Sequence, residues 1–299
     1  MLNAPNVQEW IAAIGWIYLA FAAIAIAVAL WLPEKWWLKT AAAAVVLAGF
    51  AYAPVTTYFE IKEQAAAARA KRDAAVALFN ERCKSAGEKI YKTAENVEGI
   101  LILKIPLGDG KYDDPNWPEA ALTGESSGDE YLNNFLFIEY WHPKNTYQRG
   151  ERGEIIDPDP VRDGKSLKGY KFVEMFDEAG GKHYRYSLNP NFYGVRGEKR
   201  LIKTISNGPV PRYGVTFESI ADPEGRKSWI AGAVIKIIDT NTKEVVAEQT
   251  RYLFDPGLGS TGGQRSPWGW AGTYGQRCGF EKPKVRYFVD QVAKQREGE

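Results

Sequence analysis

Histidine, cysteine and methionine each occur only twice in 299 residues, and that scarcity removes most site chemistries at once. A zinc site of the His and Cys type would have to gather His142, His183, Cys83 and Cys278 from four distant places, with none of the short ligand spacings such sites use. No Walker loop, nucleophile elbow or dinucleotide fingerprint occurs. Gly257, Gly259, Gly262 and Gly263 neither keep that fingerprint's spacing nor open a helix. Asp157, Asp159 and Asp163 bring carboxylates close together, but Pro158 and Pro160 break the spacing of a calcium loop and no bidentate Glu follows in register. The stretch reads as a proline-stiffened surface loop. No catalytic, cofactor-binding or metal-ligating residue is assigned on these grounds, and no cofactor is expected. Charge of one sign is missing too. With 38 Lys and Arg against 37 Asp and Glu, the chain has no basic footprint and nucleic acid is not an expected partner.

Charge is also absent from Trp10 to Leu32, a run of Ile, Ala, Leu, Val and aromatic residues. At about 1.5 Å per residue it is long enough to cross a hydrocarbon core of about 30 Å. A second uncharged, Ala- and Val-rich run covers Thr40 to Thr57 and is extended by Trp36, Trp37 and Leu38 before it and by Tyr58 and Phe59 after it. Two transmembrane helices are expected, over about residues 10–32 and 37–58, as a hairpin occupying residues 1–59 and meeting the bilayer through residues 10–58. Trp10, Trp31, Trp36, Trp37, Tyr58 and Phe59 lie near the ends of the runs, where amphipathic rings sit at headgroup depth. Residues 1–9 carry no Lys or Arg, and the first run exceeds the apolar core of a signal peptide, so a cleaved leader fits poorly. Pro54 is a candidate kink, and Ala41 to Ala44, Ala48, Gly49, Ala51 and Ala53 are small enough for close helix approach.

Orientation evidence conflicts. Lys35 and Lys39 between the spans favour a cytoplasmic loop with external termini, whereas Lys62, Arg69, Lys71 and Arg72 follow the second span closely and by count favour an internal domain. Cys83 and Cys278 weigh the other way: a disulfide between them closes a very long loop and persists only in an oxidising compartment. That pairing is favoured over two buried thiols. The expected location is therefore a bacterial-type inner membrane with the soluble domain extracytoplasmic, and a cytoplasmic domain is the alternative.

Residues 60–97 read as a stalk helix continuing out of the second span. Val76, Phe79, Cys83, Ala86 and Ile90 recur at helical spacing as a stripe for packing on the globular part or on a second copy. Residues 98–299 read as an α+β soluble domain: a mostly antiparallel sheet packed by the stalk helix and by a C-terminal helix over Pro283 to Gln295. Ile100 to Ile105 and Phe135 to Trp141 read as strands, Gly108 to Glu130 as a surface loop, and Tyr170 to Phe176 with His183 to Leu188 as a glycine-linked hairpin. Tyr213 to Ile220, Trp229 to Ile238 and Val245 to Phe254 read as a meander. Two turns join it, one of them at Asp222, Pro223, Glu224 and Gly225. Seven glycines between Gly257 and Gly275 surround Trp268 and Trp270. These two rings mark a candidate binding loop, although both folding back on the sheet is the more ordinary arrangement.

The expected function is that of a membrane-anchored, non-enzymatic interaction or accessory protein whose extracytoplasmic β-rich domain binds another protein or an envelope component. A homo-oligomer through the stalk helix is a further partner expectation. Two alternatives remain: an immunity or defence-type protein neutralising an envelope-acting toxin, and a hydrolase of envelope material using carboxylates such as Asp157, Asp159 or Glu174. A channel fits less well because neither span carries an ionisable stripe.

Overall fold

A computed structural model describes residues 7–108, 110–136, 148–149, 155–156, 169–177, 181–189, 201–279 and 284–295. The chain divides into two units, Met1–Lys71 and Arg72–Glu299.

The first unit is two long apolar helices. Helix α1 covers Val7–Trp31 and α2 covers Trp36–Cys83, the latter passing into the second unit. Both contain windows long and apolar enough to cross a membrane, and neither window is buried inside the protein. Half-buried positions recur on both helices: Ala22, Ala25, Ile26 and Ala29 on α1, and Ala42, Ala43, Val46 and Phe50 on α2. Of the small residues that sequence pointed to on α2, only Ala42 and Ala43 are half-buried. Gly49 has nothing within reach of where a Cβ would sit. Pro54 has no N–H to give to the carbonyl of Phe50, four residues earlier. The Tyr18 hydroxyl from α1 donates to that same carbonyl, and the two rings meet edge to face with centroids 5.5 Å apart. This bond supplies a donor to the carbonyl that the proline leaves without one.

In the second unit α2 ends at Cys83, fourteen residues short of the stalk expected to Val97. Gly87, at φ 127°, opens strand β1 (Gly87–Ile90), a backbone angle that only glycine adopts without strain. Strand β2 follows at Ala94–Val97. Val76, Phe79, Cys83 and Ala86 form the apolar face the stripe indicated, while Ile90 is 40% exposed on β1.

Strand β3 is Gly99–Ile102, shorter than the run read from sequence. The expected surface loop after it is partly core: Trp117 and the 3-10 turn Ala120–Leu122 are buried. The expected strand at Phe135 is instead the end of helix α3 (Gly128–Leu136). Tyr131, Leu132, Phe135 and Leu136 are the reason, since apolar pairs four residues apart share a helix face. Short strands β4 (Gln148–Arg149) and β5 (Ile155–Ile156) pair with each other. Strands β6 (Phe172–Phe176) and β7 (His183–Leu188) form the expected hairpin, continued by β8 (Leu201–Ile205).

The meander is β9 (Tyr213–Ile220), β10 (Ile230–Asp239) and β11 (Val245–Phe254). Its first connection is not a plain turn but a one-turn helix, α4 (Pro223–Lys227): Pro223 occupies the first turn and the Asp222 carboxylate accepts from the Gly225 N–H at 3.1 Å. The glycine-rich segment, too flexible for an element by its composition, contains helix α5 (Pro267–Tyr274). Strand β12 (Gln276–Cys278) pairs with β11, and the C-terminal helix is α6 (Val285–Val292), followed by β13 (Ala293–Gln295) parallel to β2.

The result is a mixed, nine-stranded sheet in the order β1-β11-β10-β9-β3-β6-β7-β8 with β12 on β11. Only β3 pairs in parallel, with β6 and β9. One sheet face is covered by α3, α5 and α6, whose Phe135, Trp268, Phe288 and Val289 are buried. On the other face the end of α2 packs Phe79 on Phe254, ring centroids 5.4 Å apart.

The last turn of α2 is also tied by charge. The Arg82 Nε donates to Asp222 at 2.7 Å. Burial pushes the Asp222 carboxyl up, but the Arg82 hydrogen bond and the N–H groups of α4 outweigh it and hold the folded value below the usual aspartate range. A carboxyl depressed on folding stabilises above its unfolded value and loses that contribution as pH falls through its folded value. Acid unfolding followed by circular dichroism below about pH 4 is therefore expected to be less steep in Asp222→Asn than in the wild type. Equal slopes would remove Asp222 as a contributor.

Candidate functional site

The sheet face that also receives the end of α2 carries a cross-strand row at its far end. Leu101 pairs with Glu174, Glu174 with Arg185, and Arg185 with Thr204. Side chains alternate along each strand, so these four lie on one face. Glu174 is completely buried. One carboxylate oxygen accepts from Arg185 Nε at 2.7 Å and from the Ser206 hydroxyl at 2.9 Å. The other lies 2.7 Å from His183 Nε2 without an aligned hydrogen bond between them. The His183 ring stacks on Phe176 at 4.7 Å, and the Arg185 guanidinium lies over Phe172 at 3.8 Å.

Burying an ionised carboxylate costs several kcal/mol unless it is paired and hydrogen-bonded, and here a guanidinium and a hydroxyl supply those bonds. The arrangement fixes Arg185: its Nε is held by Glu174 and its plane by Phe172, while its side chain stays 42% exposed. Ser206 is not poised as a nucleophile, because its hydroxyl donates to Glu174 and not to the imidazole. A hydrolase of the two-carboxylate type needs a second acid beside the first. The partners that the structure gives Glu174, Arg185, Ser206 and His183, include no acid. Asp157, Asp159, Asp163 and His142 lie outside the described residues.

Trp268 and Trp270 separate. Trp268 is fully buried, donates its indole N–H to the Asp114 carbonyl at 2.8 Å and sits 5.0 Å from the Trp229 ring. It is core. Trp270 is 38% exposed beside Tyr274, which is 68% exposed, and the Arg265 guanidinium covers it at 4.5 Å. The glycine-rich segment that leads into α5 is folded around one buried acid. Asp255 accepts from the N–H groups of Gly257 and Gly259 at 3.0 and 2.9 Å and pairs with Arg265. Gly259 is at φ 79°, and a Cβ there would stand 2.0 Å from the Trp229 ring. Composition showed the glycines and hid the aspartate that orders them.

Cys83 and Cys278 lie at disulfide distance, with Cα atoms 5.7 Å apart. Across the core, Arg251 pairs with Glu125 at 3.0 Å, both nearly inaccessible, and Glu125 also accepts from the Val285 N–H at 2.6 Å. No family model, curated protein or solved structure matches the chain.

Proposed function

We propose that the protein is a membrane-anchored, non-enzymatic binding module: α1 and the first part of α2 span a bacterial-type inner membrane, and the sheet domain faces the extracytoplasmic side to hold another protein or an envelope component. The observation that carries this reading is the Cys83–Cys278 pair, at the end of a helix that begins in the apolar hairpin. Such a bond persists in an oxidising compartment. The exposed aromatic pair Trp270 and Tyr274 supports binding as the task, since large aromatics anchor interfaces. The same pair favours the narrower reading, neutralisation of an envelope-acting toxin, which needs an aromatic or acidic docking patch.

Thiol labelling in intact cells with a membrane-impermeant maleimide tests the reading. The expected result is labelling of Cys83 and Cys278 only after reduction. Labelling that needs no reductant but does need a broken membrane would place the domain in the cytoplasm and overturn it. Replacing Trp270 by a photo-crosslinking residue in the same cells is expected to give a discrete adduct, and tight capture of a neighbouring-locus toxin would select the narrower reading.

A further inference from the structure

We infer that the outer edge of β8 is a strand-addition site for an extended peptide segment of acidic and aliphatic side chains. This rests on the binding reading above and names the chemistry of what is bound. β8 is the last strand of the nine-stranded sheet and pairs with β7 alone. The Ser206 N–H donates to the His183 carbonyl at 2.8 Å. In an antiparallel ladder, bonded and non-bonded pairs alternate. Thr204 and Ile202 therefore bond inward to β7, and the N–H and C=O groups of Leu201, Lys203 and Ile205 point away from the sheet. Among the described residues nothing pairs with them.

Sheet edges of this kind bind by adding a strand, in which the backbone supplies affinity and alternate side chains supply selection. Here the selecting side chains are apolar and cationic. Ile202 is 40% exposed on one face and Ile205 is 63% exposed on the other. Lys203 is the only ionisable residue of β8. Its ammonium lies 3.9 Å from the centre of the Tyr184 ring and 5.5 Å from that of Tyr186, and Asp129 and Asp177 are the acids that interact with it. Arg185, held by Glu174 one strand inward, adds a second cation. An added strand would run about 10 Å from β7, two strand spacings away. That is about one Debye length, so Arg185 contributes field and Lys203 contributes contact. Glu174 is consumed by its own partners, Asp129 stands on α3 and Asp177 follows β6, so among the described residues β8 itself carries no carboxylate.

The same charges argue against a second copy of this chain. Antiparallel pairing of two β8 strands centred on Lys203 would set lysine opposite lysine, and like charges directly opposite destabilise a sheet. An acidic strand meets Lys203 with attraction instead.

The test uses the full chain in detergent micelles and a short labelled peptide alternating Glu with Val. The expected result is saturable binding by fluorescence anisotropy, with slowed hydrogen exchange at Leu201, Lys203 and Ile205. Lys203→Glu is expected to weaken that binding about tenfold and to favour the matching Lys and Val peptide. A peptide N-methylated on the amides that would face β8 is expected not to bind. The inference is overturned by absence of saturable binding, by affinity indifferent to both Lys203→Glu and N-methylation, or by protection placed on another element. It is overturned equally by protection of β8 that grows with protein concentration in the absence of peptide, which would make the occupant a second copy. None of these outcomes touches the thiol-labelling result, so the failure of this inference and the failure of the membrane-anchored reading are distinguishable.

Discussion

Replacing Cys83 and Cys278 together by Ala is expected to lower the stability of the sheet domain by about 5 kcal/mol. The bond joins residues 195 apart in sequence, and in the loop-entropy model a closed loop of that length restricts the unfolded chain by that amount at 25 °C. The native contacts around the bond do not depend on it. The stacking of Phe79 on Phe254 and the Arg82 bond to Asp222 involve neither cysteine and are expected to persist without the disulfide. The loss should therefore appear as a lower urea midpoint, by tryptophan fluorescence, with α2 still helical. Reduction of the wild type should reproduce it. A difference under about 1 kcal/mol between oxidised and reduced protein would mean that the unfolded chain gains little freedom when the bond opens.

The parts of the fold legible in sequence were those with a strong local pattern. Two uncharged runs marked the apolar helices, and alternation bounded by turn residues marked β6, β7 and the meander of β9, β10 and β11 to within two residues. What failed was decided by contacts made far along the chain. The polar segment between Gly108 and Glu130 reads as surface, yet Trp117 enters the core beneath Tyr112, with ring centroids 5.1 Å apart. Phe135 resembles a strand residue by type, and the helix that holds it is visible only once Tyr131 and Leu132 are counted on the same face. Glu174 shows why the site was only half visible. Sequence offered it only as one of several carboxylates that a hydrolase could use. The hairpin register that places Arg185 opposite it follows from pairing Phe176 with His183, which sequence permitted but did not specify. Ser206 arrives from beyond β8, and no local signal connects it to a carboxylate 32 residues earlier.

The second large effect lies across the core. Arg251→Met is expected to cost about 3–5 kcal/mol, because it leaves Glu125 as a buried carboxylate without its guanidinium. Glu125 is 2% accessible by side chain and Arg251 equally so. Their ion pair continues through the Arg251 Nε–H to Gln249 at 2.6 Å and from the Gln249 amide to Glu88 at 2.5 Å. The chain of bonds ties α6, through the Val285 N–H, to β11 and β1. Burial pushes the Glu125 carboxyl above the usual glutamate range, against the pull of Arg251 in the opposite direction. Removing Arg251 leaves burial less opposed, so the folded value rises further. A group whose folded value is raised binds its proton more tightly in the native state, and stability then grows as pH falls. The deficit of Arg251→Met should accordingly shrink as pH is lowered toward the raised folded value and be largest near neutrality, where the carboxylate must be held ionised or take up a proton at a cost. Adding Glu125→Gln should recover most of the loss at neutral pH and make the deficit nearly independent of pH. Urea titrations of the two single variants and the double variant at neutral and mildly acid pH read this directly. A deficit in Arg251→Met that is the same at both pH values and is not reduced by Glu125→Gln would mean that the cost comes from the cavity left by the long arginine side chain and not from the stranded charge.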